Sequence, residues 1–100
     1  MPKTLFTATF SNGTKKTRRS ARPYTHAFRV IAAWQLTEEY LLAGGNRFYP
    51  DNKAGDLVTR TEFGFSSSER LARVAADRFA QGFRRPGVTT SVEVVPVEVA

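Results

Sequence analysis

The residues able to do chemistry in this 100-residue chain are few. There is one histidine, His26, and there are three tyrosines and no cysteine. Thiol nucleophiles, thiolate metal sites and disulfides are thereby excluded. His26 has no histidine companion for a zinc site and no acid near it in sequence, so a ligand set cannot be assembled from it locally. It would act as a general base only if a distant carboxylate approached it; the simpler reading is packing beside Tyr24. Gly44-Gly45 is an isolated pair without the spacing of a phosphate loop or a dinucleotide fingerprint. Glu38, Glu39 and Asp51 lack the spacing of a calcium loop. The three serines at 66–68 are explained by helix capping. No cofactor and no metal is expected, and no catalytic residue is nominated. A metal-free ribonuclease working through Arg, Lys and Tyr stays open as a minor alternative.

What the sequence does concentrate is positive charge. Thr14 to Arg29 holds six Lys or Arg residues, and no acid occurs before Glu38. The net charge of +6 is uneven: residues 1–37 carry seven bases and no acid, while residues 38–68 carry three bases and five acids. Such asymmetry points to a polyanionic or acidic partner. Lys15, Lys16, Arg18, Arg19, Arg22 and Arg29 are candidates for that contact, with Tyr24 and His26 able to stack on bases. Arg70, Arg73, Arg84 and Arg85 form a candidate second patch. The plainer reading of these charges is a solvated face that protects a sheet edge.

The elements that must position these residues follow from patterning. Lys3–Phe10 alternates Phe6, Ala8 and Phe10 with threonines and predicts a strand. Asn12-Gly13 predicts a tight hairpin turn with positive φ. The return strand is Thr14–Ser20, where Lys15, Thr17 and Arg19 share one face and Lys16, Arg18 and Ser20 the other. Only half the bases can then meet one flat surface. After the Pro23 break, Tyr24–Leu36 is read as a strand with His26, Phe28, Val30, Ala32 and Trp34 on one face; a helix here would have no polar face. Thr37 caps a short helix with Glu38 and Glu39 in its first turn. A loop spans 46–56 and a strand Leu57–Phe65.

Ser66 with Glu69 reads as a capping box opening a helix that starts at Ser67 or Ser68 and runs to Arg84. Its apolar stripe is Leu71, Ala72, Ala75, Ala76, Phe79 and Phe83. Pro86-Gly87 ends it. Thr89–Val99 is a last strand, which Pro96 marks as an edge or a bulge. The expected fold class is α+β: a mainly antiparallel sheet of five strands with one long amphipathic helix on one face, in the order β-β-β-short helix-β-α-β, forming a single domain over 1–100. The expected core sets the helix stripe against Phe6, Phe10, Phe28, Val30, Trp34, Phe63, Phe65 and Val92. Neither a signal peptide nor a membrane span is expected. A monomer is expected, or a homodimer through the exposed edge of the second or fifth strand.

The run Phe6–Val30, FTATFSNGTKKTRRSARPYTHAFRV, resembles a pattern near the start of small uncharacterised accessory proteins of actinobacterial phages. It consists of an aromatic strand, an Asn-Gly turn, Thr-Arg-Arg-Ser, then Tyr-Thr-His-Ala-aromatic, and it covers about a quarter of the chain. The resemblance brings no established activity. It implies an accessory protein acting in the host cytoplasm, not an enzyme, that binds and modulates a host or defence factor through its basic face, as an anti-CRISPR inhibitor would. The alternative is a nucleic-acid-binding module using the basic hairpin.

Overall fold

A computed structural model describes residues 3–99. The chain forms β1 (Thr4–Thr9), β2 (Lys15–Ser20), β3 (His26–Gln35), α1 (Glu38–Leu42), a 3-10 turn at Gly45–Arg47, β4 (Leu57–Ser66), α2 (Glu69–Phe83) and β5 (Thr89–Val99). The five strands make one sheet in the order β2-β1-β5-β3-β4, and every pairing is antiparallel. The α+β class and the element order match expectation, but the position of the last strand does not. β5 lies at the centre of the sheet, so the two edges are β2 and β4. Pro96 is tolerated there because it stands where the β3 ladder gives out, paired with His26, and the β1 ladder begins at Val97.

Local sequence explains most boundaries. In the β1–β2 connection only Gly13 has positive φ, at 86°, so the tight turn with two left-handed residues does not form. The Gly13 amide instead donates to the Phe10 carbonyl at 2.9 Å, and the Asn12 side chain accepts from the Thr14 amide at 3.0 Å. This is a three-residue loop with its left-handed residue last. Thr37 caps α1 by accepting from the Tyr40 amide, as expected. The cap of α2 is Ser68 rather than Ser66: its hydroxyl accepts from the Leu71 amide at 3.1 Å. Ser66 is the last residue of β4, and its carbonyl is taken by the Thr25 amide.

The core is divided between the two faces of the sheet. Under α2 lie Phe28 and Val30, joined by Val94 and half-buried Phe83. The helix meets them with Ala72, Ala76 and Ala80, spaced i, i+4, which lets its backbone approach the sheet closely. Leu71 and Phe79 were expected in this stripe, but each is 43% exposed and flanks the contact line. Val92 is also partly exposed. On the opposite face Ala8, Phe10 and Ala27 pack with Phe63, Phe65, Val95 and Val97. Phe6, Phe10, Phe63 and Phe65 therefore serve a second core instead of the helix. No helix among the described residues covers that face; the sheet curls over it. In a flat sheet β2 and β4 would stand roughly 19 Å apart at the usual strand spacing. The Lys16 ammonium nevertheless sits 4.4 Å from the centre of the Phe63 ring.

Gly64 is where close packing needs a glycine. It pairs with Phe28 across β3–β4, and the Phe28 ring occupies the space a Cβ would fill. Gly64→Ala is expected to lower stability by about 1–3 kcal/mol, since the buried ring must shift. Gly82→Ala, in an exposed part of α2 with open space at its Cβ, is expected to raise it by about 0.5–1 kcal/mol. Urea unfolding with unchanged slope checks both.

Candidate functional site

The bases nominated from sequence fall into three settings. Lys15, Lys16, Arg18 and Arg19 all lie on β2, and residues 15–19 are all exposed. Register places Lys16 opposite Ala8 and Arg18 opposite Phe6, on the curled face; Lys15 opposite Thr9 and Arg19 opposite Leu5 project from the other. Arg22 continues the row in an exposed bend. None of these five bases has an acidic partner within 4.0 Å among the described residues, where the ion pairs are Arg29–Glu93, Arg60–Glu62 and Arg73–Glu69. Two of the five are nonetheless engaged by rings. Lys16 covers Phe63, and the Arg18 guanidinium lies 5.3 Å from the centre of the Tyr24 ring. Such contacts are worth about 0.5–1 kcal/mol where exposed.

Arg29, Tyr24 and His26 are engaged within the fold. The Arg29 side chain is only 11% exposed. Its Nη2 lies 3.0 Å from the Glu93 carboxylate on β5, and its guanidinium is over Phe10. Glu93 also accepts from the Ser11 amide at 3.1 Å, so the pair ties the hairpin loop to the sheet centre. Arg29 belongs to the fold, not to the open basic row. The Tyr24 ring is used by Phe6 and Phe65, at centroid distances of 5.5 and 5.7 Å. His26 is half-buried, and its Nδ1 shares a 2.8 Å hydrogen bond with the Thr25 hydroxyl. No group of three or more potential metal ligands occurs among the described residues.

The second basic patch divides along α2. Arg70 and Arg73 are in its first turns and Arg84 and Arg85 just past its end, so the pairs are roughly 20 Å apart at 1.5 Å per residue. Arg73 is bonded to Glu69 at 3.1 Å. Arg85 reaches a feature that sequence reasoning missed: a cleft of about 550 Å³ at the Gln35 end of β3. Trp34 and Phe83 line it from β3 and α2, and Tyr40, Phe48 and Tyr49 from α1 and the loop after it. Five of the chain's twelve aromatic residues thus converge. Arg60 and Arg85 supply its charge, and no acid lines it. The Tyr40 ring is seated over Gly45, where a Cβ would collide with it. Phe48 stays 76% exposed. The readable signal was the Phe48-Tyr49 pair, two large aromatics in a loop otherwise built of Gly, Asn, Pro, Asp, Ala and the bases Arg47 and Lys53.

That loop is closed by two backbone hydrogen bonds, Leu36 amide to Asp56 carbonyl at 2.8 Å and Gly55 amide to Leu36 carbonyl at 2.7 Å. The Asp56 carboxylate accepts from the Lys53 amide and from the Asn52 side chain. These bonds, with a smaller contribution from the Lys53 charge, hold its pKa below the ordinary carboxylate value. A depressed folded-state pKa gives stability that is present above the unfolded value, about 3.9, and is lost as pH falls through the folded one. Carboxyl titration by NMR should show an Asp56 midpoint below about 3.9, and Asp56→Asn should remove that acid-range dependence. Glu93→Ala should cost about 2–3 kcal/mol in chemical unfolding, because it strands the buried Arg29 guanidinium. Arg22→Ala, on an exposed bend, should stay within about 0.5 kcal/mol of the parent.

No family model matches the chain, and no curated protein or solved structure is significantly similar to it.

Proposed function

We propose that this chain is a small phage-type accessory protein that acts in the host cytoplasm by binding a host or defence factor, and that it is not an enzyme. The partner surface is acidic and is engaged along β2. One observation carries this reading. β2 is an outer strand with one backbone edge unpaired in the sheet, and its four bases have no acid partner among the described residues.

Strand addition removes the difficulty posed by alternation. A flat partner would meet either Lys16 and Arg18 or Lys15 and Arg19. A strand added to the β2 edge places cross-strand neighbours on both faces, so an acidic extended segment meets all four. The same row works against self-pairing. Two copies joined edge to edge at β2 would set bases against bases, which is destabilising. A homodimer by sheet extension would have to use β4 instead, the other edge. No helix among the described residues is long and apolar enough to cross a membrane.

Capture from host lysate before and after nuclease treatment is the first test, and retention of a protein partner after nuclease is the expected result. Charge reversal then reads the binding mode. Lys15→Glu with Arg19→Glu, and Lys16→Glu with Arg18→Glu, should each weaken the partner by about tenfold or more. Loss from one pair alone would mean a flat contact.

Nucleic acid is the second reading, favoured because Arg22 extends the unpaired row to five bases beside a two-stranded ribbon that fits a major groove. Neutralising about five phosphates gives a log–log salt slope of about −4 to −5 on duplex DNA. Replacing Arg18, Arg19 and Arg22 together with Ala should flatten that slope. Absence of binding to duplex DNA at low salt would remove this alternative.

A further inference from the structure

We propose that the aromatic cleft at the Gln35 end of β3 is a nucleotide site, taking a free mononucleotide with its base among the rings and its phosphate between Arg85 and Arg60. This is a site apart from β2. Trp34 is eight residues along β3 from His26, roughly 27 Å at strand rise, and the β1 ladder joins β5 beside the His26 end.

Three properties select this class of ligand. The first is size: about 550 Å³ falls within the range of small-ligand clefts and admits a base with its sugar phosphate. The second is the wall. Tyr40 and Tyr49 have ring centroids 6.4 Å apart and planes inclined at 54°, so they form two sides of an angled recess rather than a closed stack. Phe48 stands exposed at the rim, where burial against the chain does not account for it. A flat heteroaromatic ring placed there gains stacking on faces that water now covers.

The third is charge. Arg85 has no acid partner among the described residues, whereas Arg60 is ion-paired with Glu62 at 3.3 Å and its guanidinium lies 5.9 Å from the Phe83 ring centre, so Arg85 is the open cation of the two. With no carboxylate in the lining, a cationic ligand is disfavoured and an anion welcomed. Guanidinium groups are matched to phosphate oxygens. The Gln35 amide lines the same cleft and can donate to or accept from a base edge.

The chain reports on this site by itself, since Trp34 is its only tryptophan. Adenosine 5′-monophosphate, adenosine, ribose 5-phosphate and a short oligoadenylate are titrated against Trp34 fluorescence, with calorimetry in parallel. The expected result is saturable binding of the mononucleotide, about tenfold weaker binding of adenosine, and none of ribose 5-phosphate at matched concentration. Arg85→Ala should weaken the mononucleotide by about tenfold and leave adenosine unchanged. Phe48→Ala should weaken both. Both substituted residues are exposed, so the fold is retained, and far-ultraviolet circular dichroism confirms it. The proposal is overturned if neither method detects the mononucleotide at millimolar concentration, if adenosine binds as well as the mononucleotide, if Arg85→Ala changes nothing, or if the oligoadenylate binds much more tightly than the mononucleotide.

Discussion

β3 is apolar on both of its faces, and one helix can cover only one of them. Phe28, Val30 and Ala32 need the alanine stripe of α2 above them. Ala27, Ile31 and Ala33 project the other way, towards a face that no helix among the described residues reaches. The remaining way to exclude water from that face is for the sheet to bend over it, and much else follows from the bend. It brings Phe10, from the end of β1, to within 5.5 Å of Phe63 on β4. It carries the outermost strand across the aromatic cluster, and it lays the Phe10 ring against Arg29, the one charged residue of β3, which Glu93 faces directly across the β3–β5 ladder.

The elements were legible in the sequence because each has a local cause: alternation in β1 and β4, an apolar run in β3 that leaves a helix no polar face, a capping serine and an amphipathic period in α2, and Gly and Pro at its end. The strand order was not, because it is decided by pairing across the whole chain. Pro96 argued for an edge or a bulge. The edge fails here because the strand changes partners at that residue. The helix stripe was read as a mixture of large and small residues; its buried centre is made by the smallest ones, with Phe79 and Phe83 packing from the sides. Close approach favours Ala72, Ala76 and Ala80, and it pushes Leu71 and Phe79 to the flanks.

Site legibility divides in the same way. The basic row was visible because Lys15, Lys16, Arg18 and Arg19 are contiguous in sequence and β2 displays them together. Arg29 looked equivalent by composition, but it sits on a central strand, where only a paired charge is tolerated. The aromatic cleft was invisible because its walls come from segments as far apart as Trp34 and Phe83. Trp34 and Phe83, taken alone, read as ordinary core, and the Phe48-Tyr49 pair does not by itself say what it faces.

The hairpin is fastened to the rest of the sheet by a short ladder, Phe6–Ala8 against Val97–Val99. With so few main-chain bonds, the pitch of β2 over the curled face rests heavily on side chains, among them the Lys16–Phe63 and Arg18–Tyr24 contacts. Lys16 and Arg18, the two bases on the curled face, are therefore also latches holding the curl shut. A partner that claims the ammonium of Lys16 must draw it off the Phe63 ring, and its observed affinity is reduced by whatever that release costs. If β2 takes the partner proposed for it, occupancy and closure of the sheet are linked, and loosening the latch without removing its bases would favour binding at the expense of the fold.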